Sequence, residues 1–236
     1  MSMFSQRIEI LRRTHSFFLA RRVKLLIKLM KLDQASRVQS ILDLGGGDGE
    51  LALRLKRKDI DASLTVADIY TALPPAQSGI RFVRLQEDKL LPFVDGEFDL
   101  VICNAVIEHV TLPKVECMSA VAILPEREWH SRSLESQRIF ANEIRRVSRS
   151  YFVQTPHHDF PIDTHLWLPF TNWWSHNWLV RLSRFTDRFW IKSVGGLVDW
   201  NLLRTAEMCA LFPEAEIYIE RWLGIPKSVI AYKQFE

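Results

Sequence analysis

The hydrophobic positions of this chain alternate between short solid runs and longer stretches in which apolar residues return every three or four positions. Solid runs of that length read as buried strands, and the periodic stretches as helices with one face turned to a core. Strands are expected over about 40–45, 63–69, 80–86, 98–104 and Tyr151–Thr155, with Pro156 stopping the last. A Pro74-Pro75 and Gly79 break precedes the third. Between the strands lie helical patterns. One follows Gly45–Gly49 with Leu51, Ala52 and Leu55 on one face. One opens at Thr111 as N-cap with Pro113 just inside and closes at Leu124-Pro125. One runs over about 134–149 with Phe140, Ile144 and Val147 inward. Asn201–Leu211 reads as a further helix, and Glu216–Trp222 and Ser228–Tyr232 as closing strands. Strand and helix in alternation predict an α/β fold.

Two segments stand outside this rhythm. Residues 1–37 hold an N-terminal basic segment, in which 5–32 form one or two amphipathic helices. There Arg21, Lys24, Lys28 and Lys31 make a stripe and Val23, Leu26 and Met30 lie among the apolar positions. Residues 156–200 carry six of the eight tryptophans, with Phe160, Phe170, Phe185 and Phe189. The segment reads as a cap inserted after the fifth strand. Trp174, Trp178, Phe185 and Phe189 are either the core of that cap or the lining of an apolar acceptor pocket, a sugar-stacking surface or a membrane interface.

Length and composition set bounds. The 236 residues suit a single domain, and 47% hydrophobic with 25% charged residues is ordinary for a globular protein. Residues 1–32 hold eight Lys or Arg against one acid, so +7 of charge; the overall +3 leaves the rest at −4. An acidic body argues against a nucleic-acid groove. The basic helix packs with a solvated face, contacts an anionic membrane surface, or lids a ligand site. Cys103, Cys117 and Cys209 are far apart and form no C-x-x-C, which points to a reducing, cytoplasmic setting, peripheral at the inner membrane face if the basic helix binds lipid. Lysines interrupt the best apolar N-terminal run, so neither a leader nor a membrane span is expected.

The chemistry centres on Ser40–Lys56, a strand, a glycine-rich turn and a helix. The spacing fits neither G-x-G-x-x-G nor a P-loop. It reads acid-x-G-x-G-x-G, as Asp43-Leu44-Gly45-Gly46-Gly47-Asp48-Gly49. Two acids at such a turn favour a cationic group, an ammonium or a sulfonium, over a phosphate. Asp68 ends the second strand 19 residues after Gly49, near the offset of a ribose-binding acid. Glu87 and Asp88 follow the third strand. Leu91-Pro92-Phe93-Val94-Asp95-Gly96-Glu97-Phe98-Asp99 leads into the fourth, which ends in Asn104-Ala105-Val106-Ile107-Glu108-His109-Val110.

This order of motifs resembles the class I S-adenosylmethionine (SAM) dependent methyltransferases, in their small-molecule "type 11"-like branch. The resemblance covers most of residues 38–155 and 201–233. It implies a Rossmann-like seven-stranded mixed sheet with helices on both faces, carrying here the N-terminal helix and the Trp-rich helical insertion. It also implies SAM as cofactor. Asp43, Gly45, Gly46, Gly47 and Gly49 would hold its methionine end and Asp68 with Ile69 its ribose. Glu87 or Asp88 would meet the adenine, and Asn104, Ala105 and His109 would stand near the methyl group. Asp99 reads as a strand-start residue.

The acceptor side follows strand five, where Thr155-Pro156-His157-His158-Asp159-Phe160-Pro161-Ile162-Asp163-Thr164-His165 resembles a TP-x-x-x-FPI-(D/E)-x-H signature of an uncharacterised bacterial subgroup. A neutral imidazole there suits proton removal. His165 is the favoured base, with Asp163 or Asp159 orienting it and His157 beside it. His157, His158, Asp163 and His165 are also plausible metal ligands, but no metal centre is expected. Neither (N/D)-P-P-(Y/F) nor a Pro-Cys pair is present, which disfavours a nucleic-acid base as acceptor. The sequence thus reads as a methyltransferase of a small-molecule, glycan or lipid-precursor oxygen. The alternatives are N- or S-methylation, or a SAM-binding module without catalysis.

Overall fold

The computed structural model describes residues 3–33, 38–58, 60–70, 79–87, 90–114, 116, 124–187 and 198–235. Asp88, Phe189 and most of the helix expected between Thr111 and Leu124 lie outside them. The described strands are β1 (Ser40–Leu44), β2 (Ser63–Asp68), β3 (Arg81–Arg84), β4 (Phe98–Asn104), β5 (Ser148–Pro156), β6 (Glu216–Trp222) and β7 (Ile225–Lys233). The helices are α1 (Met3–Met30), α2 (Glu50–Lys56), α3 (Glu126–Val147), α4 (His176–Thr186) and α5 (Thr205–Leu211).

All seven strands join one sheet in the order β3-β2-β1-β4-β5-β7-β6. β1 to β5 are parallel, and β7 returns antiparallel to both β5 and β6. Strand order reverses between β1 and β4. The loops after those two strands therefore diverge and open a crevice at the strand C-termini, the usual ligand position of such a sheet.

Both faces of the sheet are covered, which is why its strands read as solid apolar runs. Leu42 and Leu44, Val101 and Cys103, and Tyr151 and Val153 pack against α3 and α5 through Ile144, Val147, Met208 and Leu211. On the other face Ile41, Leu100, Ile102 and Phe152 meet α1 and α2 through Leu19, Val23, Leu26, Leu51 and Leu55. α1 is one helix. Arg21, Lys24 and Lys28 face solvent, and Arg22 turns inward to Glu220 at 2.9 Å and Ser228 at 3.4 Å, tying α1 to the β6–β7 hairpin. Asp99 holds the start of β1, accepting the N–H groups of Gln39 and Ser40 at 2.9 and 3.1 Å.

Several boundaries differ from those expected. α3 starts at Glu126, directly after Pro125, well before residue 134. Its inner face there carries Ser133 and Gln137, polar residues that blur the apolar period. Gln137 is buried because its amide donates to the carbonyls of Ile107 and Asn201 at 3.0 and 2.9 Å. α3 ends at Val147 because Ser148 is extended and already belongs to β5. α5 starts at Thr205 and not Asn201. The Asn201 N–H goes to the Glu108 carbonyl at 2.8 Å, and the helix begins where the Glu207 carboxylate caps the Arg204 N–H at 2.7 Å. β3 is shorter than expected and β7 longer.

The segment after β5 has a core of its own. Leu166, Leu179, Val180, Trp200 and Leu202 pack on Trp129 of α3 and on Leu112. Trp174, Trp178 and Phe185 are not in it: they are 45%, 59% and 67% exposed, which overturns the cap-core reading for these three. Among its described residues the segment is mostly irregular chain, with a 3-10 turn at Thr171–Trp173 and one helix, α4.

Candidate functional site

The glycine turn is built for close approach. Gly45 sits at φ +73°, and a Cβ there would lie 2.4 Å from Cγ2 of Val106 on the loop after β4. At Gly46 a Cβ would strike the Asp43 carboxylate at 2.5 Å. Asp43 is buried, and its Oδ2 has no hydrogen-bond partner. Burial raises its pKa to about 7, and the carboxylates of Asp68 and Asp48 push in the same direction. Such a group is satisfied by a cationic or hydrogen-bond-donating ligand.

Asp68, at the end of β2, accepts the N–H of Gly47 and that of Tyr70, each at 2.8 Å. Its carboxylate thus bridges two loops at the crevice. Ala105, the first residue after β4, has φ +56° although it is not glycine, the kind of strain that gathers at binding sites. The Ala105 N–H donates to the Gln154 carbonyl at 2.9 Å.

A cavity of about 1210 Å³ opens over these strand ends. Gly45, Asp68, Ile69, Glu87, Ala105 and His109, all expected at the site, line it. Asp43, Gly46, Gly47, Gly49 and Asn104, expected at the site too, are not among the lining residues. The Asn104 Oδ1 is buried without a partner. At the mouth Lys114 lies over the Tyr70 ring, 4.1 Å from its centroid, and its ammonium contacts the Tyr70 hydroxyl.

His109 closes a 3-10 turn, Ile107–His109, at the opposite wall. Its Nδ1 lies 2.9 Å from Asp199 Oδ1, and Asp199 also lines the cavity. Burial pushes the Asp199 carboxyl up, but the hydrogen bond and charge of His109 outweigh it and the pKa falls below the usual range. His165, the favoured base, is not among the residues that line the cavity; it stands edge-on to His109 with ring centroids 5.0 Å apart. His165 stacks on Trp200 at 4.4 Å. Its Nδ1 is 3.4 Å from Asp163, not Asp159, which pairs with His158 at 2.8 Å. Asp163 is fully buried and accepts the N–H groups of His165 and Leu166 at 2.5 and 3.0 Å, which fixes the turn. Its pKa is lowered, since His165 and these N–H groups outweigh its burial.

His157 is elsewhere. It is buried off the cavity lining, with Nε2 3.0 Å from the Thr205 hydroxyl and Nδ1 accepting the Asp159 N–H at 3.1 Å. Burial lowers its pKa. Among the described residues, the group of three metal-type donors within mutual reach is Glu108, His109 and His165, not the His157–His158–Asp163–His165 set suggested by the sequence. Reading the sequence also missed Asp199, which has no motif around it. Glu108 was visible only as part of the Glu108-His109-Val110 run.

Solved structures share this fold. The chain is similar to the PH0226 protein from Pyrococcus horikoshii OT3 (TM-score 0.51, 14% identity, 92% of this chain and 91% of that one). It is similar to a putative O-methyltransferase from Nostoc punctiforme PCC 73102 (0.52, 9%, 94% and 58%). It is also similar to the Burkholderia thailandensis 1,6-didemethyltoxoflavin-N1-methyltransferase with bound 1,6-didemethyltoxoflavin and S-adenosylhomocysteine (0.50, 12%, 97% and 87%). At such identities the likeness is one of fold. No curated protein matches the chain. The family described as "Methyltransferase domain" matches residues 3–142, more than half of the chain and the part that builds the glycine turn, Asp68 and the His109 wall. By fold, crevice and family match together, this chain belongs to the methyltransferase-domain family.

Proposed function

We propose that this chain uses SAM to methylate an oxygen of a small molecule, a glycan or a lipid precursor. One observation carries the reading: Gly45, Asp68, Ile69, Glu87, Ala105 and His109, from the ends of β1 to β4, converge on one cavity. When bound, SAM supplies an activated methyl group on a sulfonium. The residues fit it. Asp68 is an acceptor for ribose hydroxyls, and the unpaired Asp43 Oδ2 beside the glycine turn suits the electropositive methionine end. Ile69 and Glu87 flank the adenine side. Ala105, His109 and Asp199 line the same cavity, and His165 is in ring contact with His109. The His109 side offers the acceptor end, where an alcohol must lose a proton as its oxygen is methylated.

The test uses methyl-labelled SAM, the purified chain and a boiled cell extract, partitioned between organic solvent and water. Label transferred to either phase supports catalysis and names the acceptor class. SAM binding with no transfer favours the module without catalysis. His165→Ala should lower turnover while leaving SAM affinity unchanged. Full turnover in that variant would point to a nitrogen or sulfur acceptor that needs no deprotonation.

The surface favours an acceptor met at an anionic bilayer. Phe170, Trp173, Trp174, Trp178 and Phe185 are exposed on the segment after β5. Phe160 links that segment to Trp222 at the β6–β7 hairpin, their ring centroids 6.3 Å apart, and the exposed Leu223 follows. Lys227 then lies over exposed Phe18 of α1, and Arg21 over Phe17. Aromatic rings among cations suit the headgroup layer. Among the described residues no helix is long and apolar enough to cross a membrane.

A further inference from the structure

Glu108, His109 and His165 each bring one donor atom within 4.8 Å of the others. Glu108 is fully buried, and neither carboxylate oxygen has a hydrogen-bond partner. A buried carboxylate demands a counter-charge or donors. Arg22 acts on Glu108 through space, but its ion pair is with Glu220, at 2.9 Å. The Cys103 thiol also feels its charge, and the two imidazoles bring ligand-type atoms within 4.8 Å of its carboxylate.

Each imidazole has its own carboxylate. His109 Nδ1 is 2.9 Å from Asp199 and His165 Nδ1 is 3.4 Å from Asp163, both acids buried. For His109 this hydrogen bond is the arrangement by which a carboxylate orients a metal-binding histidine; Asp163 stands beside His165 Nδ1 without a hydrogen bond to it. Trp200 stacked on His165 fixes the second ring. A free imidazole base would need one of these rings and leave Glu108 with no role.

We infer that Glu108, His109 and His165 bind one divalent first-row transition cation, with Asp199 and Asp163 as the positioning carboxylates. Two nitrogens and one oxygen suit Zn²⁺ or Co²⁺ better than Mg²⁺ or Ca²⁺, which prefer all-oxygen shells. Three protein ligands leave a position open. His109 is on the cavity wall, so that position is available to an acceptor oxygen, which the ion would orient and acidify. This role rests on the proposed methyl transfer; the binding of the ion does not.

The test strips the full chain with a chelator and titrates it with Co²⁺ and Zn²⁺. Stoichiometry is read by calorimetry and elemental analysis, and the ligand field by the visible absorption of Co²⁺. One ion per chain is expected, bound more tightly than Mg²⁺. Glu108→Gln and His165→Ala should each weaken binding at least about 100-fold, and Asp199→Asn about 10–100-fold. A wild-type chain that retains neither ion overturns the assignment, as does undiminished affinity in Glu108→Gln and His165→Ala. Asp199→Asn keeps the side-chain shape, so it decides the matter where a ligand variant fails to fold; an unchanged Kd there also overturns it. SAM affinity on the same samples separates the two readings: a chain that binds SAM but neither ion leaves the methyltransferase standing and removes this site.

Discussion

A methyl group placed on Gly45 would lie 2.4 Å from Cγ2 of Val106, so the loop after β1 and the loop after β4 touch at the floor of the crevice. Gly45→Ala meets both this overlap and a φ of +73°. It should destabilise the protein by about 2–4 kcal/mol, the sum of a left-handed alanine and an overpacked contact. Adding Val106→Ala should recover the overlap part and leave the backbone part. Thermal melting of the single and double variants checks this; a Gly45→Ala protein melting with the wild type would disprove the contact.

Asp68→Ala should weaken SAM binding about 10–100-fold, the loss of a hydrogen bond to a charged acceptor. Asp68→Asn keeps the shape but not the charge, and should fall between. Calorimetric titration measures both. Wild-type affinity in the alanine variant would contradict the ribose assignment.

His130 bridges α3 to the start of α5, with Nε2 2.9 Å from Glu207 and Nδ1 2.8 Å from Asn201. The hydrogen bond His130 donates to the Glu207 carboxylate raises the His130 pKa above 6.5, so its stabilisation is full below pH 6.5 and lost as pH rises through the folded-state value. Glu207 has the opposite sign. Burial raises its pKa, but His130 and the Arg204 N–H lower it below 4.5, so its share is present above pH 4.5 and lost as pH falls through the folded value. Melting temperature should therefore decline from pH 6 to 8.5 in the wild type and decline less in His130→Ala. Parallel profiles would show that the pair does not set this slope.

Vesicles test the aromatic face. Co-sedimentation with anionic vesicles should drop when Trp178 and Phe185 are changed to serine, and drop again in 0.5 M salt if the basic stripe of α1 contributes, since screening shortens to about 4 Å there. Equal pelleting of wild type and variant, or equal binding to neutral vesicles, would rule out a bilayer docked through this face.

Much of the site was legible in short windows. The apolar runs of β1, β2 and β4, the turn Gly45–Gly49 and the offset of Asp68 are each set within about twenty residues. Neighbours in sequence decide them, through steric freedom at the glycines and burial on both faces of a parallel sheet. β4 matches its expected bounds for that reason. α3 did not, because Ser133 and Gln137 are polar residues on its inner face, and only the distant Ile107 and Asn201 carbonyls make Gln137 welcome there.

The acceptor wall belonged to the tertiary structure. His109 and Asp199 are 90 positions apart, and no local pattern marks Asp199. His165 reaches His109 only because the segment after β5 folds back over α3 and carries Trp200 behind it. Exposure was also undecided in the sequence, since Trp178 and Trp200 look alike as letters, yet one faces solvent and the other fills a core. The chain's local spacing determined the sheet and the cofactor crevice. Which charged and aromatic groups meet across it depended on long-range packing, because a side chain's partners are chosen by the burial of whole elements and not by the residues beside it.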